Sequence, residues 1–320
     1  VEVIMVFPVG RSFYTETPHG RVKGFRFGNV DAEPENTVIV QGGISASGQL
    51  WRLDGHGWWQ SLHPLFAPHP ELQVISLDYL GGVGGSDTPE EPITLSQHAE
   101  AYASVLRSLG LTQPGAWLGG SFGGVLGLQL VQDGLIKPDA LVVIGAAHQP
   151  SVQSAALRLF QQALLQQADC SQQGVVLARA LAMLTYRSAD EFEQRFNDGD
   201  EAFSYLLAQG EKLLKRHGQH AQSLFTHLTP ILNEYRIDPS RVTVPVQLVG
   251  FESDIIAPPR LMHQLEAALP DCRGLALIDT PFGHDGFIKN VADYAAVVRH
   301  FLPQLETTRG AQSPLTEDIL

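Results

Sequence analysis

The stretch AWLGGSFGGVLGLQL, residues 116–130, places one serine, Ser121, among four glycines between two apolar runs. Glycine weakens both strands and helices, so four of them at one junction require a reason. Gly-x-Ser-x-Gly after a strand and before a helix is the pattern of a nucleophile elbow, a sharp turn that exposes the serine hydroxyl above a sheet. Gly119 and Gly123 remove the side chains that would clash at such a turn, and Gly124 extends that relief into the helix. A glycine-rich turn without a catalytic role is the alternative.

Asp254 and His284, much further along the chain, are the partners that this motif requires. An elbow predicts an acid after a later strand and a histidine after the last strand, in the order Ser, Asp, His. Asp254 follows a predicted strand in VPVQLVGFESDIIAPP (244–259), and His284 follows the next one in GLALIDTPFGHDGFI (274–288). The chain has 12 histidines, and only His284 falls in a glycine-flanked loop after the final predicted strand. The sequence therefore predicts a catalytic triad of Ser121, Asp254 and His284.

The same pattern predicts an oxyanion hole made of backbone N–H groups. The first donor is the N–H of Phe122, at the start of the helix. The second should come from the loop that follows an earlier strand, and QGGISASG (41–48) has that place in the chain. Gly43 and Ile44 are the candidates, and the sequence leaves the choice between them open.

Strands and helices alternate through the first half of the chain. The predicted strands are residues 21–30, 37–43, 72–80, 116–120 and 140–147. The last three are nearly continuous apolar runs, as expected for strands buried on both faces of a parallel sheet. Thr94 and Gln97 form a capping box at the start of a helix that Gly110 ends, and Gly134 ends the helix after Ser121. This alternation predicts an α/β fold.

A helical segment interrupts the alternation. Residues 151–235 are rich in Leu, Ala and Gln with helical periodicity, and SADE (188–191) predicts a second capping box. Strands return at 244–250 and 274–280, before a last helix at 291–302. We therefore expect four regions: residues 1–150 as the first part of the core, 151–235 as an all-helical insertion, 236–305 as the second part of the core, and 306–320 as a loose polar tail.

Composition excludes several classes of function. The net charge of −13 argues against nucleic acid or an anionic membrane as the main partner. No apolar run is long enough to span a bilayer, and VEVIMVFPVG (1–10) does not have the pattern of a signal peptide.

Two isolated cysteines, Cys170 and Cys272, suit a reducing cytoplasm. No group of residues has the spacing of a metal site, so we expect no metal or redox cofactor.

Seven segments resemble the homoserine O-acyltransferase family, which comprises homoserine O-acetyl- and O-succinyltransferases. They are QGGISASG (41–48), GWW (57–59), DYLGGVGGSDTP (78–89), GGSFGGV (119–125), LARALAMLTYRSADEFEQRF (177–196), SDIIAPP (253–259) and GHDGFI (283–288). The resemblance implies an α/β-hydrolase fold, with a mostly parallel sheet and an inserted all-helical lid. It also implies acyl transfer from acyl-CoA to the hydroxyl of L-homoserine in methionine biosynthesis, and a homodimer joined through the lid.

The resemblance further implies residues that bind the substrate. Homoserine is a zwitterion, so its site needs an anion for the ammonium and a cation for the carboxylate. Neighbours in a chain generally point apart, so Asp285 is a poor candidate to orient His284, and it matches the family's ammonium-binding aspartate. Arg179 matches the family's carboxylate-binding arginine. Tyr186 is similarly placed to contact substrate. A solvated helix face is the alternative for Arg179, and helix packing is the alternative for Tyr186.

Two features favour the succinyltransferase branch. GSFGG lacks the methionine that acetyltransferases usually have after the serine, and RALAMLTYRSADEF (179–192) is closer to the succinyl branch. A succinyl group ends in a carboxylate, so its pocket needs a cation, for which Arg187 is a candidate. The alternatives are a serine-type esterase, an O-acyltransferase acting on another hydroxy amino acid such as serine, and a hydrolase-like protein that only binds.

Overall fold

Eight strands form a single sheet in the computed structural model, which describes residues 10–305. They are β1 (Arg11–Thr17), β2 (Gly20–Gly28), β3 (Thr37–Gln41), β4 (Gln73–Leu77), β5 (Ala116–Gly120), β6 (Leu141–Ile144), β7 (Val246–Phe251) and β8 (Cys272–Ile278). Their order across the sheet is β1-β2-β4-β3-β5-β6-β7-β8. β2 is antiparallel to both β1 and β4, and the remaining neighbours are parallel. The prediction of a mostly parallel α/β sheet is confirmed.

Helices connect and cover the strands. They are α1 (His63–Phe66), α2 (Leu95–Ser108), α3 (Phe122–Gln132), α4 (Val152–Gln167), α5 (Ser171–Tyr186), α6 (Ala189–Arg195), α7 (Gly199–His217), α8 (His220–Ser223), α9 (Thr229–Glu234), α10 (Pro259–Ala268), α11 (Gly286–Lys289) and α12 (Val291–Phe301). Every residue of β3 to β7 is buried. One apolar core lies between the sheet and α2, α3 and α10, and a second lies on the opposite face under α12. Burial on both faces explains why these strands are mostly apolar.

The helices α4 to α9 all lie between β6 and β7, two strands that are neighbours in the sheet. The chain thus leaves the sheet after β6, builds a helical layer and returns beside the strand that it left. This layer, from α4 to α9, is called the lid below. Within it, Gly210 of α7 allows a close approach to α5, because a Cβ there would lie 2.5 Å from the carbonyl oxygen of Val176.

The edge strand β1 was not predicted. Its side chains are exposed or only partly buried, so the segment lacks the apolar alternation by which a strand is recognised. Backbone pairing with β2 holds it instead, in register from Arg11 opposite Arg26 to Thr17 opposite Gly20. Gly20 adopts a φ of 124° at the end of this hairpin.

The two predicted capping boxes differ in outcome. Thr94 and Gln97 form the reciprocal box at the start of α2, as predicted. At α6, the Oγ of Ser188 accepts from the N–H of Glu191 at 3.1 Å, but the second half of that prediction is wrong. The N–H of Ser188 donates to the carbonyl of Pro281, and the Glu191 carboxylate pairs with arginines instead.

Some expectations concern residues that the structure does not describe. The segments 1–9 and 306–320 lie outside the described residues, and with them most of the opening stretch and the whole predicted tail. Between residues 10 and 305, no helix has both the length and the apolar character needed to cross a membrane. Cys170 and Cys272 are both free thiols.

Candidate active site

Ser121 occupies a strained turn between β5 and α3. Its φ and ψ are 53° and −119°, and among residues 10–305 it is the only non-glycine residue with a positive φ. A Cβ on Gly119 would lie 2.3 Å from the carbonyl oxygen of Gly123, and one on Gly123 would lie 2.3 Å from that of Gln41. Both contacts are with backbone and cannot be relieved by a rotamer change. The glycines therefore allow α3 to start directly against β3 and β5.

Ser121, His284 and Asp254 form one hydrogen-bonded chain. His284 Nε2 lies 2.8 Å from Ser121 Oγ, and Nδ1 lies 2.7 Å from Asp254 Oδ2. The other oxygen of Asp254 accepts from the N–H groups of Ile256 at 2.7 Å and Ala257 at 3.1 Å. Because the carboxylate accepts a hydrogen bond from Nδ1–H, the proton of the neutral imidazole stays on Nδ1 and the Nε2 lone pair faces the serine hydroxyl, as a general base requires.

The surroundings of His284 act on its pKa in opposite directions. Burial lowers the pKa, whereas the charge and the hydrogen bond of Asp254 raise it, with a further contribution from Asp285. Arg158 lowers it by charge repulsion. The net effect is a pKa above the ordinary histidine value, so the imidazolium that forms during proton transfer is stabilised in this site.

The predicted oxyanion loop lies against the elbow. The carbonyl of Gly42 accepts from the Tyr79 hydroxyl at 2.6 Å and from the N–H of Gly123 at 3.0 Å. These bonds fix the loop so that a Cβ on Gly43 would lie 3.6 Å from the Ser121 Cβ. The N–H of Phe122, at the first position of α3, has no partner within its helix. Both predicted sources of oxyanion donors thus border the serine.

A buried carboxylate fixes the far end of the same loop. Asp78 follows β4, and its two oxygens accept from the N–H groups of Gly48 at 2.5 Å and Gly85 at 2.7 Å. Burial raises the pKa of Asp78, although these two hydrogen bonds and the charge of Lys23 oppose that rise. The glycine-rich segment after β4 therefore supports the loop that carries Gly43.

One cavity of about 160 Å³ brings most of the predicted residues together above the serine. Of those predicted, its lining includes Ser121, His284, Gly43, Ile44, Asp285, Arg179 and Tyr186. Asp254 lies behind His284, and the Phe122 side chain is buried under the elbow. The Tyr186 ring lies 5.8 Å from the His284 ring, and the Arg179 guanidinium lies 5.8 Å from the Tyr186 ring. Burial raises the pKa of the Tyr186 phenol, which keeps it a hydrogen-bond donor.

Arg158 lines the same cavity and was missed by the sequence analysis. Its Nε donates to Asn233 at 2.7 Å, and its Nη2 donates to the Leu232 carbonyl at 2.8 Å and to Ser154 Oγ at 3.2 Å. All three acceptors are neutral, and only 7% of the residue is exposed. The one signal in the sequence is that Arg158 is the single charged residue of α4.

Helix α4 has its polar and apolar sides reversed relative to an ordinary surface helix. Ser154, Arg158 and Gln161 are buried and line the cavity. On the opposite side, Val152, Leu159 and Phe160 are 88%, 57% and 65% exposed. The inward side therefore presents polar groups to the cavity, and the outward side presents an apolar surface.

Arg187 does not border the cavity. It donates from Nε to Asp285 Oδ2 at 2.7 Å and from Nη1 to Glu191 Oε1 at 2.8 Å. Its guanidinium is thus already paired with two carboxylates of the protein itself. Asp285 lines the cavity with one carboxylate oxygen already paired to Arg187.

The sheet order, the elbow and the Ser–His–Asp chain together define the α/β hydrolase fold with a serine-type site. The sequence profile of that fold matches residues 36–291. A homoserine O-succinyltransferase of Xanthomonas campestris is 30% identical over 295 residues, which cover 85% of this chain and 77% of the relative. A homoserine O-acetyltransferase of Mycobacterium leprae is 27% identical over 330 residues, covering 87% and 86%. The chain belongs to the homoserine O-acyltransferase family of the α/β hydrolase fold.

Solved structures support the fold. A homoserine O-acetyltransferase from Staphylococcus aureus superposes with a TM-score of 0.78 at 21% identity, over 97% of this chain and 98% of that one. Esterase E22 gives the same TM-score at 14% identity, over 93% and 100% of the two chains. An acyltransferase and an esterase thus share this architecture equally well, so the fold alone does not distinguish transfer from hydrolysis.

Proposed function

We propose that the protein is a homoserine O-acyltransferase of methionine biosynthesis, which moves an acyl group from acyl-CoA to the hydroxyl of L-homoserine. The activities of the relatives support the acceptor. The observation that carries the proposal is the cavity above Ser121, which holds one carboxylate, Asp285, and two guanidinium groups, Arg158 and Arg179. A zwitterionic acceptor needs one group of each charge. A second cation remains for the donor.

The first half-reaction acylates Ser121. His284, oriented by Asp254, takes the hydroxyl proton as Oγ attacks the thioester carbonyl. The N–H groups of Phe122 and of Gly43 or Ile44 stabilise the negative charge that develops on the carbonyl oxygen. The thioester bond breaks, and the imidazolium returns its proton to the departing sulfur. These steps need neither a metal nor a redox cofactor.

The second half-reaction transfers the acyl group to the acceptor. Asp285 receives the ammonium of homoserine, Arg179 receives its carboxylate, and Tyr186 contacts the bound amino acid. His284 then removes the proton from the homoserine hydroxyl, whose oxygen attacks the acyl carbonyl. The ester bond to Ser121 Oγ breaks, and the imidazolium returns its proton to Oγ, which regenerates the free serine. Water at roughly 55 M competes for the same carbonyl, so transfer depends on this positioning and on the lid.

Succinyl-CoA is the proposed donor, in preference to acetyl-CoA. Burying the terminal carboxylate of a succinyl group without a partner would be costly, and Arg158 provides a buried guanidinium whose hydrogen bonds are all to neutral acceptors. Burial lowers the pKa of Arg158, with opposing effects from Tyr235 and Tyr186, so an anionic ligand would stabilise its charge. An acetyl group offers no such anion. Arg187, the cation suggested by the sequence, is already held by two carboxylates.

A trapped intermediate tests the mechanism. Intact mass spectrometry of the protein mixed with succinyl-CoA alone should show a succinyl adduct that maps to Ser121 and disappears when homoserine is added. Double-reciprocal plots should be parallel, as expected for a ping-pong reaction. Ser121→Ala should form no adduct and lose several orders of magnitude in rate. Intersecting plots without an adduct would contradict the acyl-enzyme.

Four substrate pairs test the donor and the acceptor. The kcat/KM values of succinyl-CoA and acetyl-CoA are measured against homoserine and serine. We expect at least about a tenfold preference for succinyl-CoA, equivalent to about 1.4 kcal/mol, and a preference for homoserine. Equal kcat/KM values for acetyl-CoA and succinyl-CoA would contradict succinyl-CoA as the preferred donor. Equal kcat/KM values for serine and homoserine would contradict homoserine as the preferred acceptor. Hydrolysis that homoserine does not suppress would indicate an esterase.

Two further properties belong to the same proposal. Because its donor is a CoA thioester, we place the reaction in the cytoplasm. We also propose a homodimer joined through the lid, with the exposed apolar side of α4 as the contact surface. Its residues Val152, Leu159 and Phe160 are spaced at i, i+7 and i+8, which puts them on one side of the helix.

A further inference from the structure

Arg187 is held between two carboxylates that come from different parts of the fold. Asp285 belongs to the loop that follows β8, and Glu191 belongs to α6 of the lid. The side chains of Arg187, Glu191 and Asp285 are only 8%, 9% and 14% exposed. At this burial, charge-assisted hydrogen bonds are screened little by water and hold a defined geometry.

The segment that carries Arg187 is also fixed by its backbone. The neighbouring Ser188 donates to the carbonyl of Pro281 from both its N–H, at 3.2 Å, and its Oγ, at 2.5 Å. Gly283 has a φ of 55°, and a Cβ there would lie 2.9 Å from the carbonyl oxygen of Tyr186. The lid segment 186–188 therefore packs directly on the loop 281–285, which presents His284.

The geometry of Arg187 determines the orientation of Asp285. The planar guanidinium uses Nε for Asp285 and Nη1 for Glu191, so it cannot turn away from one carboxylate without losing the other. Asp285 Oδ2 is thereby occupied. Within the described part of the chain, Oδ1 of Asp285 has no hydrogen-bond partner. One oxygen is left for a ligand in the cavity, while the other fixes the plane of the carboxylate.

We propose that Arg187 and Glu191 are positioning residues, which hold Asp285 in the orientation that receives the substrate ammonium and hold the lid segment 186–188 against the loop of His284. The inference rests on the proposed function insofar as Asp285 binds the acceptor. Glu191 acts only through Arg187, and Arg187 acts only through Asp285 and its loop.

Hydrogen exchange tests the structural part without any substrate. Arg187→Met and Glu191→Gln should speed the exchange of backbone amides in 186–188 and 281–285 together. Arg195→Met is the matched control, because Arg195 donates to the same Glu191 oxygen at 3.2 Å but is 41% exposed and does not contact Asp285. It should leave both segments as protected as in the wild type. Unchanged exchange in Arg187→Met would overturn the inference.

Kinetics test the positioning part. In Arg187→Met, the KM for homoserine should rise at least about tenfold, while the rate of Ser121 acylation by acyl-CoA should fall by less than about threefold. In the Asp285→Asn background, Arg187→Met should add little further loss, and Arg187→Lys should restore only part of the wild-type KM. The positioning role would be refuted if the free-energy losses of Arg187→Met and Asp285→Asn simply added in the double variant. It would also be refuted if Arg187→Met slowed acylation and transfer equally.

The two proposals can fail separately. If wild-type protein acylates Ser121 but transfers nothing to homoserine, the proposed function is wrong, and so is the ammonium-positioning role that rests on it. Hydrogen exchange then still decides whether Arg187 holds the lid to the loop. If transfer to homoserine is normal in Arg187→Met, the proposed function stands and the positioning role is rejected.

Discussion

His284 and Asp285 are adjacent in the chain, yet their side chains belong to separate hydrogen-bonded groups. The His284 imidazole is fixed by Asp254 from the loop after β7, whereas the Asp285 carboxylate is fixed by Arg187 from the lid. The short 3-10 turn at 283–285 directs them apart. The proposed proton-transfer group and the proposed ammonium-binding group thus lie on one loop without competing for the same partner.

Asp285→Asn should affect both half-reactions, each in a distinct way. Asp285 contributes to the raised pKa of His284, and His284 must be neutral to act as a base. The acid limb of the wild-type acylation rate should therefore have its midpoint above about 6.5, and Asp285→Asn should move that midpoint to lower pH. At a pH where His284 is neutral, transfer to homoserine should fall by roughly 2–5 kcal/mol of transition-state stabilisation. Single-turnover rates of acylation and of transfer to homoserine, each measured against pH, separate the two effects.

An opposite shift provides the control for that pH dependence. Arg158 lowers the pKa of His284, so Arg158→Leu should move the same acid limb to higher pH. A shift in the same direction for both variants would mean that the limb reports a general change in the site and not the charge around His284.

Arg158→Leu should also change donor selection. Loss of the guanidinium removes the only proposed partner of the succinyl carboxylate, so the preference for succinyl-CoA over acetyl-CoA should fall by at least about tenfold, or about 1.4 kcal/mol. Arg158→Lys keeps the charge but loses the fork that bonds Asn233 and Leu232, and it should retain part of the preference. Because Arg158 ties α4 to α9, Tm is measured for each variant. An unchanged donor ratio in a folded Arg158→Leu protein would assign the carboxylate to another group.

Gly123→Ala tests the steric explanation of the elbow. The added Cβ would meet the Gln41 carbonyl at 2.3 Å, and displacing backbone in a packed core costs roughly 1–3 kcal/mol or more. We expect a lower free energy of unfolding and loss of Ser121 labelling by a fluorophosphonate. Gly199→Ala is the matched control, because nothing lies within 4 Å of its Cβ position, and it should be close to neutral. Equal stability of the two variants would contradict the steric account.

The hydrogen-bonded chain of Ser121, His284 and Asp254 was predictable because each residue follows a strand in a required order. The elbow also has a local cause, since glycines must occur where α3 starts against β3 and β5, and that requirement leaves a pattern in the sequence. The mostly parallel sheet was predictable for a related reason, because burial on both faces leaves β5 and β6 without polar side chains and β4 with only Gln73 and Ser76.

The pairings of the lid with the core were not predictable. Arg187 and Asp285 are distant in sequence, and nothing local to either indicates that they meet. Glu191 has the position of a capping-box acid, but the buried Arg187 offers a stronger partner than the N–H of Ser188, which Pro281 already accepts. In the sequence, Arg158 resembles an ordinary exposed residue of a surface helix. Only the structure shows that the polar side of α4 faces inward.

That reversal of α4 also provides the last prediction, which concerns assembly. Val152, Leu159 and Phe160 form an apolar strip on the outer side of the lid, where large apolar side chains exposed together usually mark an interaction surface. Phe160→Glu should convert a dimer into a monomer, measured by sedimentation equilibrium, because an interface would have to bury an unpaired carboxylate. Leu53→Glu is the control. Leu53 is 73% exposed but lies outside the lid, so its replacement should leave the dimer intact. A monomeric wild type, or a dimer that Phe160→Glu leaves unchanged, would place the interface elsewhere or reject it.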